Sequence, residues 1–329
     1  MMLAEGAWSF PIVLDPKDDK GNFRFCINFQ RLNEVTKKDA YPLPNMNSIL
    51  DKLRNAKYIS KLDLKSGFWQ VAMDEASKEK TGFRVPGKGF FQFKVMPFGL
   101  CNSPATFQRL MDKVLGPVLD PYCFVYLDDI IVITDTFAKH LKVLSQVFDL
   151  LRKANLKLNL DKCCFCVPEL KYLGYIVNKY GLHPDPDKVN SVLQFPVPHN
   201  VKGVRKFLGI TSWYRKFIPN YSTVVHPINN LLKKNQKWSW GYKCQMAFES
   251  LKQLLVQAPI LRCPDFSRRF KIQTDASLVG IGAALLQEFE DGEAVVSYAS
   301  RSLSTAEQKY SATERECLAV VFAVEHFRP

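Results

Sequence analysis

The sequence predicts an α+β chain built around more than one core. Short runs of β-branched and aromatic residues, bounded by Gly, Pro, Asn and Asp, recur through the first 180 residues. Longer segments return apolar residues every three or four positions, the period of an amphipathic helix. A proline cluster, Pro184, Pro186, Pro196 and Pro198, interrupts both patterns just past the middle. At roughly 100–200 residues per domain, 329 residues hold two or three domains, and an apolar fraction of 47% suffices for a core in each.

In chain order, Phe10 to Leu14 and Phe23 to Phe29 read as a hairpin with a charged tip that includes Lys17. Tyr41-Pro42-Leu43-Pro44 is an extended connector, and Asn47 to Asn55 reads as a short helix. Ile59 to Leu64 is a strand containing Asp63. Gly82 to Gly89 nearly matches a phosphate-cradling loop, but Gly89 offers no hydroxyl and a strand follows where that motif needs a helix; Pro86 to Gly89 is a hairpin turn instead. Met96 to Gln108 passes through Gly99 into a helix capped by Ser103, with Pro104 at its first position. Cys123 to Ile133 is a hairpin with Asp128 and Asp129 at its tip, and His140 to Ala154 is a helix with Leu141, Leu144, Phe148 and Leu151 on one face. Beyond the prolines, Val201 to Tyr214 and Met246 to Leu255 are helices. Tyr214-Arg215-Lys216-Phe217 is either a basic aromatic element for a duplex backbone or a core cluster with a charged rim. The strands Phe270 to Ser277 and Gly280 to Leu286, and a helix from Thr313 to Phe327 carrying Glu316, complete the chain.

The chemistry concentrates at three acids. Asp-Asp is poor turn chemistry, because the favoured two-residue hairpin loops need φ > 0 and select Gly or Asn. Two carboxylates ~4 Å apart repel by about 4 kcal/mol at an effective dielectric near 20. An aspartate is also an ordinary turn residue, and one such pair decides nothing. A third acid in similar apolar surroundings, Asp63, changes the balance: a carboxylate inside a short apolar strand is expensive unless paired or coordinating a metal. Oxygen ligands of this kind suit Mg²⁺, and paired Mg²⁺ ions perform in-line displacement at phosphorus.

Tyr126-Leu127-Asp128-Asp129, Leu62-Asp63-Leu64 and the Met96 to Gln108 segment together resemble the reverse transcriptase of gypsy-type long-terminal-repeat retrotransposons, in that family's order and approximate spacing over nearly the whole chain. The resemblance implies a right-hand polymerase of fingers, palm and thumb, followed by a connection segment and a truncated ribonuclease H-like α/β domain. Residues 1–180 would be fingers and palm, with the start of the fingers missing, 181–262 thumb and connection, and 263–329 the partial nuclease. It implies two Mg²⁺ ions per polymerase site, replaceable by Mn²⁺, held by Asp63, Asp128 and Asp129 with help from the Leu64 carbonyl. Lys17 and Arg24 would grip the triphosphate of a deoxynucleotide, Phe68 would exclude a ribose 2′-hydroxyl, and Phe98 and Gly99 would support the templating base and the incoming nucleotide. Phenylalanine at position 98 is the gypsy-type choice, where retroviral relatives often carry glutamine. Lys162 would protonate the leaving pyrophosphate, and Leu173 and Gly174 would lie in the primer grip. Asp275 and Glu316 match the first two of four nuclease metal acids, and the other two would lie beyond Pro329. Without the resemblance, Lys17, Arg24 and Lys162 are surface charges and Phe68 a core aromatic.

Charge points the same way. A net charge of +13 and a pI near 9.2 imply a polyanionic partner, expected to be RNA and DNA template-primer duplexes, although a membrane surface also attracts basic chains. No run of 18 apolar residues and no separate basic amphipathic helix favours the membrane. The N-terminus lacks the pattern of a signal peptide, so a reducing location is expected: the cytoplasm, including retroelement particles, or the nucleus. Nine cysteines then read as free and mostly buried thiols, and Cys163-Cys164-Phe165-Cys166 lacks the four spaced ligands of a zinc site. Asp275-Ala276-Ser277 departs from the Asp-Ser/Thr-Gly of an aspartic protease, and no integrase motif appears, so protease and integrase activities are expected in other parts of a retroelement polyprotein. The rival expectation is a non-catalytic nucleic-acid-binding remnant.

Overall fold

The computed structural model describes residues 1–16, 23–44, 49, 56–116, 118, 121–178, 180–234 and 236–328. Lys17 and the expected helix at 47–55, apart from Ile49, lie outside them. The chain divides into two compact units, Met1–Pro168 and Glu169–Pro329.

In the first unit, β2 (Ile12–Pro16) and β3 (Phe23–Ile27) form the expected hairpin, with Asp15 opposite Arg24. Beside it β1 (Met2–Leu3), β6 (Gly89–Gln92) and β5 (Phe83–Val85) form a small sheet. Phe10, Ile27, Phe29, Phe83 and Phe93 pack with Leu32 of α1 (Gln30–Val35) into one core. A helical turn, α2 (Glu75–Lys78), precedes β5.

The second sheet of this unit runs in the order β7 (Cys123–Tyr126), β8 (Asp129–Thr134), β4 (Tyr58–Asp63), β9 (Cys164–Val167), with every neighbour antiparallel. Side chains alternate across a sheet. Leu62, Ile130 and Val132 therefore meet Phe107 and Met111 of α3 (Ser103–Leu115) and Leu144, Val147 and Leu151 of α4 (Phe137–Lys153), while Lys61, Asp63 and Asp129 share the opposite face. Each buried Leu, Ile or Val contributes about 1.5–3 kcal/mol, and a slip of one residue would exchange the faces, so this core fixes where the acids point.

Three local expectations shift. The two-residue hairpin loop is Leu127-Asp128, not Asp128-Asp129: Asp129 already belongs to β8, opposite both Tyr126 and Asp63. Leu127 has φ +53, the left-handed conformation that such a loop demands. The N-cap position of α3 is Asn102 rather than Ser103, and its side chain makes no capping hydrogen bond to the helix. Its amide donates to the Lys37 carbonyl and accepts from the Asp39 N–H, while the Ser103 hydroxyl donates to the Pro97 carbonyl. On α4, Leu141 is exposed, and His140 and Val143 take the core positions beside Leu144.

In the second unit, β10 (Glu169–Tyr172), β11 (Tyr175–Asn178) and β12 (Gly181–Pro184) form a meander. After it come α5 (Pro186–Leu193), α6 (Val201–Trp213), α7 (Tyr221–Val224), α8 (His226–Asn230) and α9 (Tyr242–Val256). The Tyr214-Arg215-Lys216-Phe217 element is the core cluster of the two readings: Tyr214 and Phe217 are buried against Tyr175, and the Lys216 ammonium lies 4.5 Å from the Tyr175 ring centroid. The last sheet pairs β13 (Phe270–Ala276), β14 (Gly280–Phe289) and β15 (Gly292–Ser302), with α10 (Ala312–Phe327) packed through Ala319 against Ile281. The sequence reading had no strand at β15, where Glu293, Ser297 and Arg301 break the apolar run.

The cysteines are free, but only Cys123 and Cys244 are buried, and Cys164 and Cys317 are exposed. Among the described residues no helix is long and apolar enough to cross a membrane.

Candidate active site

The ladder between β4 and β8 ends with Asp63 directly opposite Asp129, and Asp128 occupies the loop beside them, where its carbonyl accepts the Leu64 N–H at 3.3 Å. Three acids from two distant segments thus meet at one sheet end. Asp128 bears the electrostatic consequence: burial, and then the charges of Asp63 and Asp129, push its pKa up to about 6, against a smaller lowering by Lys162. Its Oδ1 is buried and has no hydrogen-bond partner. An orphaned buried acceptor among like charges is unfavourable by itself and favourable only with a cation.

The carboxylates are not preset as a cage. Asp129 Oδ1 turns to the Lys61 ammonium at 3.0 Å, and Asp63 Oδ2 lies 3.6 Å from Lys162 Nζ. Among the described residues no three His, Cys, Asp or Glu side chains are drawn together tightly enough to hold an ion as they stand.

The strained loop is held by a residue to which the sequence reading gave no role. Gln108, wholly buried on α3, accepts the Leu127 N–H at 2.9 Å through Oε1 and donates through Nε2 to the Val125 carbonyl and to Asp112 Oδ1. Asp112 in turn accepts the Tyr41 hydroxyl at 2.7 Å. Holding a leucine in the left-handed region costs roughly 1–2 kcal/mol, which these bonds offset. The signal was legible: Gln108 stands at a core position of a helix whose neighbours at that spacing, Ala105, Met111 and Leu115, are apolar.

Gly67 was also missed. A Cβ there would collide with Asp128 Oδ1 and lie 2.8 Å from Phe107 Cζ, so the glycine makes room for the carboxylate. Behind the acids, wholly buried His140 bridges Ser60 Oγ at 2.7 Å and Thr134 Oγ1 at 2.9 Å, while Ser60 Oγ accepts the Cys166 N–H. This ties β4, β8 and β9 together, and burial holds the His140 pKa below its usual value.

Phe68 and Phe98 pack together with ring centroids 5.3 Å apart, and Phe107 backs Phe68 at 5.4 Å. Gly99 has φ +96, and its carbonyl accepts from Asn33 Nδ2 at 2.8 Å. Leu64 is buried at the end of β4. Arg24 stands in β3 opposite Asp15.

In the second unit, Leu173 and Gly174 form the β10–β11 turn, with φ +51 and +81, and the Gly174 carbonyl accepts the Tyr214 hydroxyl at 2.9 Å. Asp275 lies opposite Gly282, and its Oδ2 accepts from Asn220 Nδ2 at 2.9 Å. Asn220 itself fills the space that a Cβ on Gly282 would take. Glu316 is exposed on α10, one turn before the buried Ala319.

A family model described as "Reverse transcriptase (RNA-dependent DNA polymerase)" matches residues 15–177, and one described as "RNase H-like domain found in reverse transcriptase" matches 240–329. The chain is 45% identical over 93% of its length to the retrovirus-related Pol polyprotein from transposon 297 of Drosophila melanogaster, and 40% identical over 98% to that from transposon opus of the same organism. It spans only 28% and 33% of those two polyproteins. Its fold matches a foamy viral protease-reverse transcriptase solved in complex with double-stranded DNA, with a TM-score of 0.89, 24% identity, and coverage of 99% of this chain and 57% of that one. That likeness shows an α+β polymerase fold of fingers, palm and thumb with a C-terminal ribonuclease H-like sheet domain.

Proposed function

Since the chain belongs to the reverse transcriptase and ribonuclease H region of gypsy-type long-terminal-repeat retrotransposon polyproteins, we propose that it is an RNA-directed DNA polymerase, extending a primer 3′ end with deoxynucleotides. The observation that carries the reading is the orphaned Asp128 Oδ1 beside Asp63 and Asp129. These three donors are all carboxylates, the set that suits Mg²⁺ or Mn²⁺, and they fit a divalent site. Asp63, Asp128 and Asp129 would hold such ions, which would supply a lowered pKa at the primer hydroxyl and charge neutralisation at the triphosphate. The primer 3′-oxygen forms a bond to the α-phosphorus as the bond to pyrophosphate breaks.

The chain's own residues supply position. The Gln108 clamp keeps the Asp128 loop in its left-handed turn, and the β4–β8 ladder keeps Asp63 in register. Phe68, braced by Phe98 and Phe107, forms a rigid wall suited to the sugar face of a deoxynucleotide, and Gly99 lets backbone approach a flat base. Lys162, beside Asp63, is placed to give a proton to pyrophosphate, while Lys17 and Arg24 take the triphosphate and the Leu64 carbonyl assists the acids. Leu173 and Gly174 hold the primer. Residues 1–180 act as fingers and palm, 181–262 as thumb and connection, and 263–329 as the nuclease-like part, with Asp275 and Glu316 as metal acids. A charge of +13 suits template-primer duplexes, with binding that weakens as salt rises.

Primer extension on an RNA template with Mg²⁺, comparing the parent with Asp128→Asn, tests the proposal. Extension by the parent alone supports it. Silence from both, with retained salt-sensitive duplex binding, indicates a binding remnant instead.

A further inference from the structure

Two lysines flank the three acids, and they are unlike. Lys61 stands on β4 two residues before Asp63 and on the same face, and its ion pair with Asp129 is largely enclosed, the side chains being 22% and 23% exposed. Lys162 is 62% exposed, and its distance to Asp63 is longer, 3.6 Å against 3.0 Å. Three carboxylates bring three negative charges to one sheet end and the two ammoniums return two positive ones. The remainder falls on Asp128, whose Oδ1 has no partner.

We infer that Lys61 is a built-in stand-in cation: in the metal-free protein it neutralises Asp129 and lets the acids stay adjacent, and it yields that carboxylate when a divalent ion binds. The inference rests on the metal-site reading above and deepens it. Lys61 is a positioning residue, because it acts through Asp129. An ordinary cross-strand ion pair between β4 and β8 has the same geometry, but it predicts something different. Losing an ordinary pair lowers stability and leaves metal affinity unchanged or weaker. Losing a stand-in moves the two quantities in opposite directions: the metal-free protein is left with three less compensated carboxylates, whereas the incoming ion no longer competes for Asp129.

The test is a Mn²⁺ titration of the full chain without nucleotide, with free Mn²⁺ read by electron paramagnetic resonance, for the parent, Lys61→Met, Lys61→Arg and, as background, Asp128→Asn. Thermal melts in EDTA and in Mg²⁺ accompany it. Lys61→Met is expected to bind Mn²⁺ roughly two- to fivefold more tightly, the scale of one partly exposed ion pair. It should also melt lower in EDTA and gain more from Mg²⁺ than the parent, with Lys61→Arg returning both properties to parental values. Lys61→Gln replaces the methionine variant if the latter fails to fold. Equal or weaker Mn²⁺ binding by the charge-removing variant overturns the role of Lys61 while leaving the metal site standing. A parent that binds no more Mn²⁺ than Asp128→Asn overturns the metal-site reading itself.

Discussion

Each unit of the chain carries an aspartate in the last two residues of a β-strand, and the two carboxylates keep opposite company. Asp63 faces another acid across its ladder, with a third in the adjoining loop, and one buried oxygen of that third acid is left without a partner. Asp275 faces Gly282, and its carboxylate accepts from Asn220, which fits the gap the glycine leaves. The first arrangement raises the energy of the fold and would be relieved by a cation; the second is at rest without one. An aspartate near the end of a strand is therefore informative through its neighbours rather than by itself.

The contrast breaks most directly on primer extension. Asp128→Asn should reduce it by about a thousandfold or more, on the scale of losing a principal transition-state charge partner, whereas Asp275→Asn should leave the rate per active molecule unchanged. Loss in both variants would mean that the two acids are not separate in function.

Next in size is the support beneath the polymerase acids. Gln108→Ala removes the acceptor for the Leu127 N–H and should cost roughly 10–100-fold in extension, as second-layer partners of metal ligands do, with duplex affinity retained in a filter-binding assay. A variant with parental turnover would show that the strained loop holds itself.

Gly282→Ala sharpens the comparison from the other side. The added methyl displaces Asn220 and should lower the stability of the second unit by about 1–3 kcal/mol in urea unfolding, with polymerase turnover preserved.

The smallest effect carries the more diagnostic sign. Because the Asp128 pKa in the folded chain is raised to about 6 from its ordinary 3.8, the carboxylate is a liability that is absent below pH ~4, grows between pH 4 and 6, and is complete above 6. Asp128→Asn should thus stabilise the metal-free protein at pH 7 by roughly 1–2 kcal/mol, after discounting for solvent screening, and have no effect near pH 3.5, read by melting in EDTA across that range. A destabilised variant at pH 7 would mean that Asp128 is satisfied in the metal-free fold.

Much of the site was legible because its strands obey a simple period. The apolar runs around Asp63 and from Cys123 to Ile133 located the strands, whereas the pairing of β4 with β8 joins segments far apart in the chain and has no local signal. The hairpin was off by one residue because turn propensity disfavours leucine at φ > 0; Gln108, distant in sequence, stabilises what local preference opposes. Ser103 reads as the α3 cap by residue type, but among the described residues no side chain caps that helix; Asn102 at the N-cap position serves the Lys37–Asp39 segment, a tertiary contact with no local signature. Alternation from Asp63 puts Lys61 on the same face, but nothing in the sequence sets it apart from the chain's other lysines. Asn220 could not be read at all, since its partner Asp275 lies 55 residues away.

The central claim is that Asp63, Asp128 and Asp129 share divalent ions. Anomalous diffraction from crystals of the chain with template-primer, a non-hydrolysable deoxynucleotide and MnCl₂ addresses it most directly. The account predicts manganese peaks at coordination distance from carboxylate oxygens of all three residues, with Lys61 withdrawn from Asp129. Manganese bound elsewhere, or held without any oxygen of Asp63, would contradict it.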